Sequence, residues 1–210
     1  MAITAIGIVG LMVAIVARQL LFQAVDPANY DGSPLPREGL NAPFVTTPDP
    51  VLAKMLEAAQ LSAQDLVYDL GCGDGRIVIG AALRSGCRGV GFDIEPERVV
   101  EAQENVRLRG VEDRVTIKEQ DIFEVDLSQA DVAMMYLLPW IMNKLLPQFE
   151  QMKPGARIVS HNYWIDGVEP DAYYEVPTGE NMNSHGVYLY TTPLKKNPAL
   201  EKGKPPRPAG

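Results

Sequence analysis

The sequence predicts a doubly wound α/β domain whose seven-stranded, mostly parallel sheet ends in a C-terminal antiparallel hairpin. Three observations predict it. Short runs of strand composition alternate with segments of helical period between residues 49 and 194. A glycine-rich turn, Gly71-Cys72-Gly73-Asp74-Gly75, ends the first run and opens a helical one. The last two runs, AYYEVPT and HGVYLYTTP, follow each other with no helical segment between them, which is the order of a hairpin.

The elements follow in order. Asp49 caps a helix with Pro50 at its first position, and Leu52, Met55, Leu56 and Ala59 line one apolar face. LVYDLG (66–71) is a buried strand and IVIGAALR a helix; RGVGFDI is the second strand, followed by the helix PERVVEAQENVRLRG, led by Pro96. RVTIKEQD and DVAMMYLL are the third and fourth strands. A helix near 140–152 is interrupted by Pro147 and stopped by Lys153-Pro154-Gly155, and ARIVSHNYW is the fifth strand. Strands joined through helices make a parallel sheet covered on both faces.

The flanks differ from this domain. No charged side chain precedes Arg18, and a helix over about residues 2 to 23 spans a hydrocarbon core about 30 Å thick. Residues 1–25 are therefore expected to be an N-terminal transmembrane anchor, with a removed segment or a buried core helix as alternatives. Arg18 and Arg37 lie on its C-terminal side, which places the remaining chain on the cytoplasmic side of the membrane. Residues 26–48, with Pro27, Pro34, Pro36, Pro43 and Pro48, read as a tether, and 49–194 as the folded α/β domain. Residues 195–210 (KKNPALEKGKPPRPAG) have too few apolar residues to fold and read as a disordered basic tail.

Charge narrows the partners. The formal net charge is −8, yet five of the 19 basic and one of the 27 acidic residues lie in the last sixteen positions, so residues 1–194 carry −12. Such a body repels a phosphate backbone, and no nucleic-acid partner is expected. With two cysteines, Cys72 and Cys87, and no metal-type spacing around either, neither a disulfide framework nor a metal site is predicted.

Ligands of open parallel sheets collect at the carboxyl ends of the strands. There, Gly71 and Gly73 let the backbone turn tightly under a ligand. The GxGxxG spacing of dinucleotide sites is absent, because the sixth position from Gly71 is Arg76 and from Gly73 is Val78. Asp69 sets a carboxylate beside the turn, which opposes a pyrophosphate and suits a phosphate-free cofactor with a cationic amino-acid end, such as S-adenosylmethionine. Asp93, followed by Ile94 at the tip of the second strand, is placed for ribose hydroxyls, and Asp121-Ile122 after the third strand for an adenine amino group and face.

The runs DLGCGDGRIVI, GFDIEPERV and Asp121-Ile122 resemble motifs I, post-I and II of the class I S-adenosylmethionine-dependent methyltransferases, whose fold is Rossmann-like with seven strands. In order, FVTTPDPVLAKML, VYDLGCGDGRIVIGAA, GVGFDIEPERVVEAQEN, VEDRVTIKEQDIFEVDLSQADV, YLLP and KPGARIVSHNY resemble a subgroup of protein lysine methyltransferases over roughly residues 43 to 170. That subgroup includes membrane-associated mitochondrial enzymes acting on the ADP/ATP translocase and the ATP synthase c-subunit, with prokaryotic relatives. The resemblance implies that Asp69, Gly71 and Gly73, with Cys72 inside the turn, hold the methionine portion, Asp93 the ribose, and Asp121 with Ile122 the adenine. It also implies that Thr47 closes over the cofactor and that Tyr136 stands near the transferred methyl group. YLLP lacks the acidic or amide residue and the first proline of the (Asp/Asn)-Pro-Pro-(Tyr/Phe) motif, which disfavours adenine or glutamine N-methylation.

The expected partner is a protein with an accessible lysine, a membrane protein among the candidates. A small-molecule or lipid-like acceptor, or a non-catalytic cofactor-binding assembly factor, stays open. His161 after the fifth strand reads as a hydrogen-bonded structural histidine, with a pocket-lining place as the alternative, and His185 in the hairpin carries no separate signal; Trp140 and Trp164 read as core or rim, and Cys72 as a small residue within the turn.

Overall fold

The computed structural model describes residues 44–178 and 184–200. A seven-stranded sheet has the order β3-β2-β1-β4-β5-β7-β6. Here β1 is Leu66–Leu70, β2 Arg88–Asp93, β3 Val115–Glu119, β4 Val132–Met135, β5 Arg157–His161, β6 Ala172–Pro177 and β7 Ser184–Thr191. β1 to β5 pair in parallel, and β7 pairs antiparallel with both β5 and β6. The closing pair is thus present as expected, with its second strand inserted next to β5 and its first at the sheet edge.

The helices are α1 (Asp49–Ala58), α2 (Arg76–Ser85), α3 (Pro96–Leu108), α4 (Pro139–Lys144) and α5 (Leu146–Phe149). The last two share Leu145 as their boundary, where Pro147 in the first turn of α5 cannot supply an amide to a continuous helix. α2 is the hub of one face: Ile77 and Ala81 pack with Val51 and Met55 of α1, while Val78, Ile79 and Ala82 pack with Val99 and Ala102 of α3. Val159 of β5 belongs to the α1 cluster, whereas Ser160 donates to the Met142 sulfur of α4 at 3.9 Å. Successive strand residues face opposite ways, so α1 and α4 cover opposite faces of the sheet, as a doubly wound fold requires.

Three expectations need adjustment. Asp49 does not cap α1; extended Pro48 does, its carbonyl accepting from Leu52 N at 2.9 Å. Asp49 instead lies in the first turn, where its charge favours the positive helix end. The compact domain begins at Val45 rather than 49, so Thr47 belongs to it and not to a tether. The tail also begins ordered: Lys195 O accepts from Glu169 N, Asn197 N donates to Gly167 O, and Lys195 and Lys196 pair with Asp171 and Glu150 at 2.6 and 2.5 Å. Backbone hydrogen bonds to the loop before β6 hold it, which composition alone does not disclose. Among the described residues no helix is long and apolar enough to cross a membrane. The anchor read over residues 1–25 lies outside the described residues, as do most of the tether and residues 201–210.

Candidate active site

The strand order reverses at β1: β2 and β3 lie on one side of it, β4 and β5 on the other. The crevice at the carboxyl ends therefore opens between the turn after β1 and the segment after β4. Gly71 has φ +73°, and a Cβ there would stand 2.9 Å from Leu137 Cδ2. The bare backbone of Gly71 is exposed while Gly73 and Cys72 are buried. Cys72 packs down against β2, where a Cβ on Gly91 would lie 2.9 Å from its sulfur. Burial and then the charges of Asp69 and Asp93 push the Cys72 thiol up, so it stays protonated and inert.

The carboxylates meet around this turn. Asp93 Oδ2 accepts from Gly73 N at 2.8 Å and Oδ1 from Glu95 N at 3.0 Å, so one side chain ties the glycine turn to the end of β2. Each oxygen retains acceptor capacity toward the crevice. Next to it Ile94 is 53% exposed, an apolar face that packing does not explain. Gln120 N donates to Asp93 O, which brings the Asp121-Ile122 corner alongside; Asp121 Oδ1 accepts from Phe123 N at 2.9 Å. Asp69 is fully buried, its Oδ2 accepting from Val78 N at 3.2 Å. Its Oδ1 is one of two buried side-chain polar atoms without a partner among the described residues, the other being Trp140 Nε1. Burial, opposed by the Val78 hydrogen bond and reinforced by Asp74 and Asp93, raises the Asp69 pKa to about 8. An unpaired buried carboxyl oxygen, a glycine cradle, a strand-end carboxylate and two isoleucines at the strand ends fit a nucleoside with a cationic tail.

The closing segment is held from two directions. Thr47, nearly buried, accepts at its carbonyl from Arg76 Nη1 at 3.1 Å, and Arg76 is clamped by Asp74 at 2.6 Å. Thr47 Oγ1 lies 3.2 Å from Nδ1 of His161, and His161 Nε2 lies 2.8 Å from His185 Nδ1. Tyr136, half-buried after β4, stacks on His161 with centroids 3.8 Å apart, and its hydroxyl accepts from Asn162 Nδ2 at 3.4 Å. Thr47 and Tyr136 are legible in the sequence, whereas the roles of Arg76, Asp74 and Asn162 and the contact between the two histidines are not. Asp74 and Arg76 pair two residues apart inside the turn, whereas the contacts of Arg76 with Thr47, of Asn162 with Tyr136 and between the histidines join distant positions that no local motif announces. Trp164 is buried and donates to Asp166, which leaves it a packing residue.

Burial and then His185 hold the His161 pKa at about 3, so the imidazole is neutral. Between pH 6.5 and 3 the unfolded chain therefore takes up a proton at this residue that the folded chain does not, and stability falls as pH drops through that window. Chemical denaturation of His161→Gln should show a shallower decline from pH 6 to 4 than the parent, by up to about 1.4 kcal/mol per pH unit. Equal slopes would mean that His161 is not held neutral.

The comparisons agree with this geometry. The model of the ANTKMT methyltransferase domain matches residues 69–172. A protein-lysine N-methyltransferase of Saccharolobus islandicus is 46% identical over 152 residues, covering 71% of this chain and 93% of that protein. The lysine N-methyltransferase of the ATP synthase c-subunit from Rattus norvegicus is 27% identical over 147 residues, 70% of this chain and 65% of its own length. Among solved structures, an RNA methyltransferase from Salinibacter ruber in complex with S-adenosyl-L-homocysteine is 42% identical, with a TM-score of 0.68, covering 75% of this chain and all of that one. S-adenosylmethionine is accordingly the cofactor, in agreement with the phosphate-free, cation-accepting turn. On the shared fold, the motif order and the match to 93% of the Saccharolobus islandicus enzyme, the chain belongs to the class I S-adenosylmethionine-dependent methyltransferases.

Proposed function

We propose that the protein is a protein-lysine N-methyltransferase acting on a membrane or membrane-associated protein. The observation that carries the reading is the 46% identity over 93% of the Saccharolobus islandicus protein-lysine N-methyltransferase. The rat relative, named for a component of ATP synthase, and the apolar run at residues 2 to 23 support a membrane-adjacent acceptor, with the catalytic domain on the cytoplasmic side. The acidic body suits a cationic protein side chain and opposes RNA.

Asp69 Oδ1 would hold the cofactor's ammonium group, the turn of Gly71, Cys72 and Gly73 its methionine portion, and Asp93 the ribose hydroxyls. Ile94 and Ile122 would hold the adenine face, and Asp121 its amino group. Thr47, drawn down by Arg76, closes the site. When bound, S-adenosylmethionine supplies a sulfonium-activated methyl group. The protein's remaining work is alignment and water exclusion. Tyr136 orients the incoming amine, and the stacked Tyr136 and His161 rings present a desolvated wall that lowers the pKa of a lysine arriving there. His161, held neutral, adds no charge to repel it.

The test is partition of label. With methyl-labelled S-adenosylmethionine and a detergent-solubilised cell extract, label should enter protein. Label in the organic phase would identify a lipid-like acceptor, label in RNA a nucleic-acid enzyme, and label nowhere a binding module. A second expectation concerns protons. Asp69, with its pKa near 8, is mostly protonated at pH 7, and pairing with an ammonium lowers that value. Cofactor binding should then release close to one proton at pH 7, and affinity should rise with pH toward 8. Calorimetry in buffers of different ionisation enthalpy reads this directly; buffer-independent heats would remove Asp69 from the ammonium site.

A further inference from the structure

We propose that His161, Asn162 and His185 are positioning residues for methyl transfer, forming a hydrogen-bond chain of fixed direction that ties Thr47 on the closing segment to Tyr136 beside the acceptor. The proposal rests on the reading above that places Tyr136 on the acceptor side. Its direction follows from one backbone amide. Gly186 N donates to Asn162 Oδ1 at 3.0 Å, which turns the Asn162 Nδ2 toward its other neighbours. That nitrogen donates to His185 Nδ1 at 3.2 Å and to Tyr136 Oη at 3.4 Å.

The rest is proton counting. Asn162 Nδ2 can only donate, so His185 Nδ1, which faces it, carries no proton; its one lone pair is shared between Asn162 Nδ2 at 3.2 Å and His161 Nε2 at 2.8 Å, and the proton of the shorter contact resides on His161 Nε2. A neutral imidazole carries one such proton, so His161 Nδ1 is an acceptor and Thr47 Oγ1 donates to it across 3.2 Å. Both histidines are then Nε2–H tautomers. Reversing any one donor forces the others to reverse or leaves a buried polar atom unpaired, a cost of about 1–3 kcal/mol that keeps the chain in one sense.

The backbone places the chain where it matters. Asn162 has φ +63°, a left-handed conformation that asparagine tolerates better than most residues, and it follows directly after β5. His161 ends β5 and His185 lies in β7, its antiparallel neighbour. Through the Thr47 carbonyl the chain continues to Arg76 and Asp74 in the glycine turn. Cofactor turn, closing segment and acceptor tyrosine are thereby set by one network. Its consequence at Tyr136 is specific: with one lone pair taken by Asn162 and the ring seated on His161, Oη retains a single directed lone pair for a substrate N–H.

The test uses the full chain with ¹⁵N-labelled histidine. Long-range ¹H–¹⁵N spectra at pH 7 should show both imidazoles neutral with the proton on Nε2. Asn162→Asp, nearly isosteric, puts an acceptor where Nδ2 donates; the His185 proton should move to Nδ1, and turnover with the labelled protein fraction should fall at least tenfold. The KM for S-adenosylmethionine should change less than threefold. His185→Asn, which keeps an acceptor oxygen near the position of Nδ1, should retain turnover within threefold, while His185→Ala loses at least tenfold. His185 is half-buried, so this pair reports even if the Asn162 variant fails to fold. A wild-type proton on His185 Nδ1, reversal without loss of turnover, or equal activity of the two His185 variants would overturn the proposal. Failure of the underlying reading looks different: unchanged turnover in Tyr136→Phe would remove Tyr136 from the acceptor side and, with it, the chain's role in transfer, whatever the histidine spectra show.

Discussion

Asp93→Ala is expected to weaken S-adenosylmethionine binding by at least two orders of magnitude while the fold survives. The carboxylate faces the crevice from the end of β2, and hydrogen bonds to a charged acceptor contribute about 1.5–3 kcal/mol each. Losing two ribose hydroxyl contacts therefore corresponds to a factor of about 10² or more. The variant also releases Gly73 N and Glu95 N, which Asp93 holds at 2.8 and 3.0 Å, so the glycine turn loses its tie to β2. Asp93 is half-buried, and leaving the buried Gly73 N without its acceptor costs about 1–3 kcal/mol, so the melting temperature should fall by several degrees while the domain stays folded. Equilibrium binding followed by calorimetry checks this; affinity within threefold of the parent would place the ribose elsewhere.

Gly71→Ala is expected to damage the site from the other side of the crevice. At φ +73° a side chain costs about 1–2 kcal/mol, and the new Cβ would approach Leu137 Cδ2 to 2.9 Å. The midpoint of thermal unfolding should fall by about 2–8 °C. Affinity for S-adenosylmethionine should fall at least tenfold, because the methyl group occupies the exposed backbone proposed to hold the methionine portion. Gly155→Ala is the matched control: its φ is +83°, but a Cβ there meets nothing within 4 Å, and it lies outside the crevice. It should lower the melting temperature and leave binding unchanged. Equal binding losses in the two variants would show that backbone strain, and not the cradle, sets the effect.

The sequence disclosed what is local. The strands and helices follow the order that alternation and helical period give, because those patterns record which faces are buried, but the fifth strand, read through Trp164, ends at His161 where Asn162 turns to φ +63°, and the helix read near 140–152 is two short ones. The glycine turn with Asp69, Asp93 and Asp121 was legible for a similar reason, since each carboxylate terminates a run whose strand character is unmistakable. What stayed hidden depends on long-range contacts. His161 meets Thr47 across 114 positions and His185 across 24, and nothing near either histidine signals the other. Arg157 is similar: it reads as the polar start of a strand, yet it donates to Ala59 O and Gln60 O and pairs with Asp65 at 2.6 Å, fastening the end of α1. Composition misled at Lys195 and Lys196, where backbone pairing with the loop before β6 orders a segment that has almost no apolar side chains to bury.

A cofactor site at the carboxyl ends of β1 to β3, with the lysine amine proposed to align at Tyr136, leaves its record on the acceptor. Its most direct test is tandem mass spectrometry of the acceptor after incubation with methyl-deuterated S-adenosylmethionine, for the parent and for Asp93→Ala. Deuterated methyl is expected on lysine Nζ with the parent and none above background with the variant. Methyl found on RNA, on lipid or on another side chain, or undiminished lysine methylation by Asp93→Ala, would contradict it.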